Sequence, residues 1–372
     1  MKTAMYAFSG DPITFGHIDI IKRAAKAFDR VVVGIGVNPM KKYMFSLKER
    51  TEMAEKVLSG MDNVKVVSFR GLLVDYAYEH NIDVIVKGVR NSVDFNYEDI
   101  LRQVGESQKL GIDTHILFAK PELAHISSST VKFLQKEQGL IHESVPLYVK
   151  ECLEARMSNQ FIVGVTGEVG AGKSFVCREF EKLGKKIKVY NIELDIIGHQ
   201  ILKELKEPRY EHIREKIIKT FGSKVKKNGM VDTKVLGEIV FNNPDKLVEL
   251  NKLMRTPMIV RLRRELRGKK GLILINAALI AESGLSFLCN NNIILVYTDK
   301  ETQKKRLEGR NLNAEQIKRR VESQFDFKEK KKTFENIIKR DNQGKLWIID
   351  NSKNSIKEIK NVFRKVLKEI KN

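Results

Sequence analysis

Two rhythms of apolar and polar positions alternate along the first 140 or so residues. Short apolar runs at 3–8, 30–37, 64–69, 83–87 and 115–118 have the length and β-branched content of buried strands. Between them, apolar residues recur every three to four positions over 16–28, 47–58, 72–79, 96–109 and 129–138, which is the period of a helix with one buried face. Ser46 and Glu49 offer a capping box for the second of these helices. Strand and helix in alternation predict a parallel sheet covered by helices on both faces, with ligands at the carboxyl ends of the strands.

The pattern then closes and begins again. Residues 145–156 read as a terminal helix, 157–160 (Met157, Ser158, Asn159, Gln160) as a short polar linker, and 161–166 as a new apolar strand. Further strands are predicted at 186–191, 272–275, 292–297 and 346–349. The expected organisation is therefore two parallel-sheet α/β domains, 1–156 and 161–372, joined by the linker.

Between the new strand and a helix that runs from Ser174 towards Gly184 lies GEVGAGKS, residues 167–174. Strand, glycine loop and helix in this order form the phosphate-binding loop GxxxxGK[ST]. Gly167, Gly170 and Gly172 let the backbone N–H groups surround a polyphosphate, Lys173 reaches its outer phosphates, and the Ser174 hydroxyl takes Mg²⁺. Asp195 opens the following helix, as a carboxylate that activates a hydroxyl or as a helix cap. Arg306, Arg310, Arg319 and Arg320 stand on two helices around 311–313, either as a lid that brings guanidinium groups to a transferring phosphate or as a solvated basic pair.

The first domain carries four features suited to phosphate on one expected sheet edge. They are Thr14-Phe15-Gly16-His17 at a helix start, Lys41 and Lys42 after the second strand, Lys87 to Arg90 after the fourth, and Ser127, Ser128 and Ser129 opening a helix after the fifth. Each alone has a plainer explanation in helix capping or a solvated charge; together they mark one site.

Composition changes the picture in one respect. The net charge is +21, and through Ser158 the two signs nearly cancel, with 21 Lys and Arg against 20 Asp and Glu, so the second domain carries the excess. Most of it falls on lysine-rich helix faces, and no nucleic-acid module accompanies it. Three scattered cysteines fit a reducing cytoplasm better than a disulfide framework. The first residues lack a signal-peptide core, and no uncharged apolar run is long enough to cross a bilayer.

DPITFGHIDIIKRA, KKYMFSLKER, VKGVRNSVDFNYE and ISSSTVKF, in this order, resemble the bacterial phosphopantetheine adenylyltransferase family. The resemblance implies a Rossmann-like TxGH nucleotidyltransferase fold and AMP transfer from ATP to 4′-phosphopantetheine. It assigns His17 to the triphosphate, and Lys41 and Ser9, with Lys87 beside them, to the acceptor phosphate. Arg90, Asp94, Glu98 and Ser127 to Ser129 go to the nucleotide, and a homo-oligomer, hexameric in that family, is implied. VTGEVGAGKS, ELDIIGH, RTPMIVR, LIAESGL and RNLNAEQIKRRVESQ resemble dephospho-coenzyme A kinase, which phosphorylates the ribose 3′-hydroxyl of dephospho-coenzyme A with MgATP. That implies a P-loop kinase in which Asp195 deprotonates the hydroxyl and Arg310 and Arg320 belong to the lid. Glu168, Glu193, Thr256 and Ala278 depart from that pattern, so a weakened or differently specific kinase half is the alternative. The expected partners are ATP, 4′-phosphopantetheine and dephospho-coenzyme A, with no nucleic acid and no membrane.

Overall fold

The computed structural model describes residues 1–309 and 314–371. The chain divides into two compact units, Met1–Leu153 and Glu154–Asn372. The helix Leu147–Leu153 runs into a further helical turn, Glu154–Ser158, and the next strand already begins at Gln160, so little of 157–160 is left as extended linker.

The first unit is built on β1 (Thr3–Phe8), β2 (Arg30–Ile35), β3 (Val64–Ser68), β4 (Val84–Val89) and β5 (Asp113–Phe118). They form one sheet in the order β3-β2-β1-β4-β5, with every neighbouring pair parallel. Connections leave β1 towards β2 and later return to β4 on its other side. The crevice at the carboxyl ends of β1 and β4 is therefore a topological switch point, where ligands of such sheets bind.

The helix expected at 96–109 is Ser92–Ser107, a full turn earlier. Asn91 caps it, its side chain accepting the Asp94 N–H at 2.9 Å. None of its residues is buried, so its first turn leaves no core-facing signal in the apolar pattern. The earlier start puts Asp94 in the first turn and Glu98 one turn on, on the same side.

The second unit carries β6 (Gln160–Thr166), β7 (Val189–Glu193), a small hairpin of β8 (Lys226–Lys227) and β9 (Met230–Val231), then β10 (Gly271–Asn276), β11 (Ile293–Tyr297) and β12 (Leu346–Asp350). Its main sheet has the order β12-β11-β6-β10-β7, again wholly parallel. β6 is buried along its whole length at the centre, and the glycine loop leaves its carboxyl end. β7 lies two to three residues later than expected and ends on Glu193, at the same sheet edge as the loop.

Phe161, Val163 and Val165 of β6 pack with Phe180 and with Ile359, Val362, Phe363 and Val366 of the last helix, Ile356–Lys371. That helix buries an apolar stripe, and Lys357, Lys360, Lys365 and Lys368 fall off it, as solvated lysine faces require. Between β7 and β10 stand three helices the apolar pattern did not resolve: Pro208–Phe221, Thr233–Phe241 and Pro244–Leu266, the last containing Thr256 and Pro257. Among the described residues no helix is long and apolar enough to cross a membrane.

Candidate active sites

Ser9, His17, Lys41, Lys87, Arg90, Asp94, Glu98, Ser127, Ser128 and Ser129 all line one cleft of about 820 Å³ in the first unit. His17 Nδ1 lies 3.0 Å from the Thr14 backbone N and 2.9 Å from Thr14 Oγ1. A backbone N–H can only donate, so Nδ1 accepts and the ring proton sits on Nε2. Phe8 stacks on the ring with centroids 4.4 Å apart. Burial first, then the positive charges of Arg90 and Lys41, hold the His17 pKa down at about 3. The ring is thus a neutral donor at physiological pH.

Two of the cleft's cations are paired with carboxylates of the Ser92–Ser107 helix. Lys87 Nζ lies 2.8 Å from Glu98 Oε2. Arg90 grips Asp94 with Nε at 2.7 Å and Nη2 at 3.0 Å, and its Nη1 donates to Ile126 O at 3.2 Å. The Arg90 hydrogen bond keeps the Asp94 carboxyl below the usual range. Lys41 and Lys42 are exposed at the rim. Ser127 caps the helix Ser128–Lys136, accepting the Thr130 N–H at 3.0 Å, while Ser128 Oγ donates to Pro12 O at 2.8 Å and Ser129 is exposed.

Three organising residues escaped the sequence reading. Buried Asp11 accepts from Lys132 Nζ at 2.8 Å, Phe45 N at 3.0 Å and Met44 N at 3.1 Å, which ties β1 to two distant segments. Buried Arg50 donates to Ser9 O and, at 3.0 Å, to Gly36 O. Only the position of Asp11 just after a strand hinted at any of this; Arg50 and Lys132 sit on helices like ordinary surface cations.

In the second unit the glycines of the loop are required by geometry. Gly167 has φ +150° and a Cβ there would lie 2.1 Å from Val296 O; Gly172 has φ +90° and a Cβ would meet Asn351 Nδ2 at 2.2 Å. Gly170 also takes a positive φ, +84°. Lys173 arches back over the loop, with Nζ donating to Gly167 O at 3.1 Å and Glu168 O at 3.2 Å. Ser174 Oγ faces Glu193 Oε2 at 3.5 Å and Asn276 Nδ2 at 3.4 Å.

The side chain beside Ser174 is therefore Glu193, while Asp195 lies exposed in the first turn of the helix Leu194–Lys203. The Ser174 hydroxyl and the Glu193 carboxylate are hard oxygen donors of the kind Mg²⁺ takes, usually with few protein ligands and the rest from phosphate and water, while Asn276 turns its amide nitrogen to Ser174. Among the described residues no group of three His, Cys, Asp or Glu would hold a metal alone, so this set fits a cation completed by nucleotide oxygens.

Arg306 is part of the scaffold of the loop and is not a free lid arginine. Its Nη1 donates to Ala171 O at 3.2 Å and Gly170 O at 3.4 Å, and its Nη2 to Asn351 O and Asn354 Oδ1, both at 2.8 Å. Arg319 pairs with Glu315 one turn away. Arg310 lies outside the described residues, and Arg320 falls within the helix Ala314–Glu322. Glu168 is half-buried, and burial, followed by the charge of Asp326, pushes its carboxyl up. Buried Lys330 stands nearby, paired with Glu282 at 2.5 Å and donating to Ala278 O at 2.8 Å.

Comparison with known proteins matches the two units to different families. A sequence model described as dephospho-CoA kinase matches residues 161–346, and one described as cytidylyltransferase-like matches residues 9–133. The phosphopantetheine adenylyltransferase of Clostridium novyi (strain NT) is 39% identical over 170 residues, which span 46% of this chain and 98% of the relative. That of Clostridium tetani is 42% identical over 160 residues, spanning 43% of this chain and 100% of the relative. Among solved structures, a dephospho-CoA kinase from Campylobacter jejuni shares 27% identity over 57% of this chain and 97% of that one, with a TM-score of 0.35, too loose a superposition to carry an assignment.

Proposed function

The chain belongs to the phosphopantetheine adenylyltransferase family through its first unit and to the dephospho-CoA kinase family through its second, and from this premise we propose how each site works. One polypeptide carries two consecutive steps of coenzyme A assembly. AMP passes from ATP to 4′-phosphopantetheine, giving dephospho-coenzyme A and pyrophosphate, and the ribose 3′-hydroxyl of that product is then phosphorylated by a second ATP.

In the first step a phosphate oxygen of the acceptor attacks the α-phosphorus as the bond to pyrophosphate breaks. The substrate is its own nucleophile, so the protein's part is alignment and charge stabilisation. His17 donates from Nε2 to an α-phosphate oxygen, a role that its acceptor-only Nδ1 and its neutral state support. Lys41 and Ser9 hold the acceptor phosphate, with Lys87 kept beside them by Glu98. Arg90, with Asp94, and the N-terminus of the Ser128–Lys136 helix, with Ser127 to Ser129, hold the nucleotide and the departing phosphates. The convergence of these ten residues on one cleft is the observation that carries the reading.

In the second step the loop and Lys173 hold the donor phosphates, Ser174 with Glu193 takes Mg²⁺, and Asp195 accepts the proton of the 3′-hydroxyl. Bound Mg²⁺ would neutralise charge on the β- and γ-phosphate oxygens. Arg310 and Arg320 serve the transferring phosphate. Domain limits of 1–156 and 161–372 are retained for this division of labour, in a cytoplasmic setting. Val93, Phe95, Ile100 and Val104 of the Ser92–Ser107 helix are exposed, an apolar surface that supports a homo-oligomer through the first unit, with a hexamer as the form expected. The second reading, an active adenylyltransferase joined to a weakened kinase, is favoured by one feature, the anionic Glu168 in the loop.

The test is to incubate the chain with ATP, Mg²⁺ and 4′-phosphopantetheine and to identify products by mass. Coenzyme A is the expected product. Dephospho-coenzyme A accumulating alone would support the second reading, and neither product appearing would refute the assignment of acceptors.

A further inference from the structure

A polyphosphate is attracted by the N–H groups of a glycine loop and repelled by its carbonyls, so a working loop has to turn the one inward and the other out. Every carbonyl from Gly167 to Ala171 has a partner here. Lys173 takes those of Gly167 and Glu168 at 3.1 and 3.2 Å, Gln303 Nε2 that of Val169 at 2.8 Å, Arg306 that of Gly170 at 3.4 Å, and Asn351 Nδ2 that of Ala171 at 2.9 Å. The backbone N–H groups of Gly170, Gly172 and Ser174, by contrast, find no acceptor among the described residues.

Val169 is held on both of its polar atoms by an amide side chain. Gln303, buried on the helix Lys300–Glu308, donates to its carbonyl, and Gln324, just beyond the helix Ala314–Glu322, accepts its N–H at 3.0 Å. The orientation of each amide is dictated by chemistry, since a carbonyl needs a donor and an N–H needs an acceptor. In a trans peptide the carbonyl and the following N–H point opposite ways. Drawing Val169 O to Gln303 therefore turns the Gly170 N–H away from that helix. The approach is close: a Cβ on Gly170 would lie 3.1 Å from Gln303 Cγ.

We propose that Gln303 and Gln324 are positioning residues for phosphoryl transfer: Gln303 holds the Val169–Gly170 peptide, and Gln324 the Glu168–Val169 peptide before it, so that the Gly170 N–H stays directed at the polyphosphate of the bound nucleotide. The inference rests on the kinase reading of the second unit and deepens it. Gln324→Glu keeps an accepting oxygen, whereas Gln324→Leu removes it; Gln303→Leu removes the donor, and Gln303→Glu sets an acceptor against the carbonyl.

The experiment measures these four variants in the full chain with MgATP and dephospho-coenzyme A. Gln303→Leu, Gln303→Glu and Gln324→Leu should lower kcat/KM for MgATP at least about tenfold, with KM for dephospho-coenzyme A within about twofold of the parent. Gln324→Glu should stay within about threefold of the parent, and adenylyl transfer by the first unit should be unchanged. Backbone amide exchange in peptides covering 161–180, with and without MgATP, gives a readout independent of turnover: the parent should be protected by nucleotide and both leucine variants should not. Leucine variants within twofold of the parent, or Gln324→Glu as impaired as Gln324→Leu, would overturn the clamp. Should the parent fail to phosphorylate dephospho-coenzyme A, the kinase reading falls on its own and the exchange comparison decides the clamp, with protection kept in the leucine variants counting against it.

Discussion

The two candidate phosphate sites of this chain are built in opposite ways. The first gathers side chains from separate strand ends and holds its cations in pairs, Lys87 with Glu98 and Arg90 with Asp94, around a histidine kept neutral. The second is one continuous loop in which the surrounding side chains occupy the carbonyls and leave backbone N–H groups for the proposed phosphate. A side-chain site depends on a sheet bringing strand ends together, and it tolerates a change of loop shape. A backbone site depends on glycines at fixed positions and on whatever turns its peptides outward.

The largest expected effects separate the two. Lys173→Ala should lower phosphorylation of dephospho-coenzyme A by on the order of 10²–10³-fold, as loss of a charge-stabilising donor does, and leave adenylyl transfer unchanged. Next is Arg50→Met, which leaves Ser9 O and Gly36 O without their charged donor. It should destabilise the first unit by about 2 kcal/mol in denaturant unfolding and raise KM for the acceptor, with no effect on the kinase. Glu168→Gly removes an anion from the loop and should raise kinase kcat/KM by roughly a few-fold; a fall would show that the carboxyl has a use there.

The smallest effect concerns pH. The His17 pKa is lowered from 6.5 to about 3, so between those values the unfolded chain binds the proton that the folded chain refuses. Stability from this group is complete above about pH 6.5 and falls as the pH drops towards 3. Unfolding of His17→Asn compared with the parent at pH 4.5 and pH 7 should show a shallower loss in the variant. Adenylyl transfer should likewise show no histidine titration between pH 6 and 8.

The contrast also explains what was legible in the sequence. GEVGAGKS is readable because strand, loop and helix are contiguous, and in the structure the strand Gln160–Thr166 leads into the loop and Lys173 and Ser174 open the helix after it. The capping box at Ser46 and Glu49 is present for the same local reason. The first cleft was legible only through several short segments sharing one sheet edge, and its supports were not. Asp11, Arg50 and Lys132 act across the fold; each lies in a segment that carries the family resemblance, but beyond the place of Asp11 after a strand nothing local shows the partner it reaches.

Arg306 fits neither the lid nor the solvated basic pair, because, of its five carbonyl and side-chain partners around the loop, four are distant in sequence. Glu193 looked like a departure from a pattern and proves to face Ser174 once β7 is found to end there. The helices between β7 and β10 follow tertiary packing more than any local signal; the longest, Pro244–Leu266, even contains Pro257, which argues locally against a continuous helix.

The independence of the two sites is tested most directly by one variant given two substrates. His17→Ala should convert dephospho-coenzyme A to coenzyme A at the rate of the parent chain, and should form neither dephospho-coenzyme A nor coenzyme A from 4′-phosphopantetheine and ATP. Loss of both conversions would contradict the account.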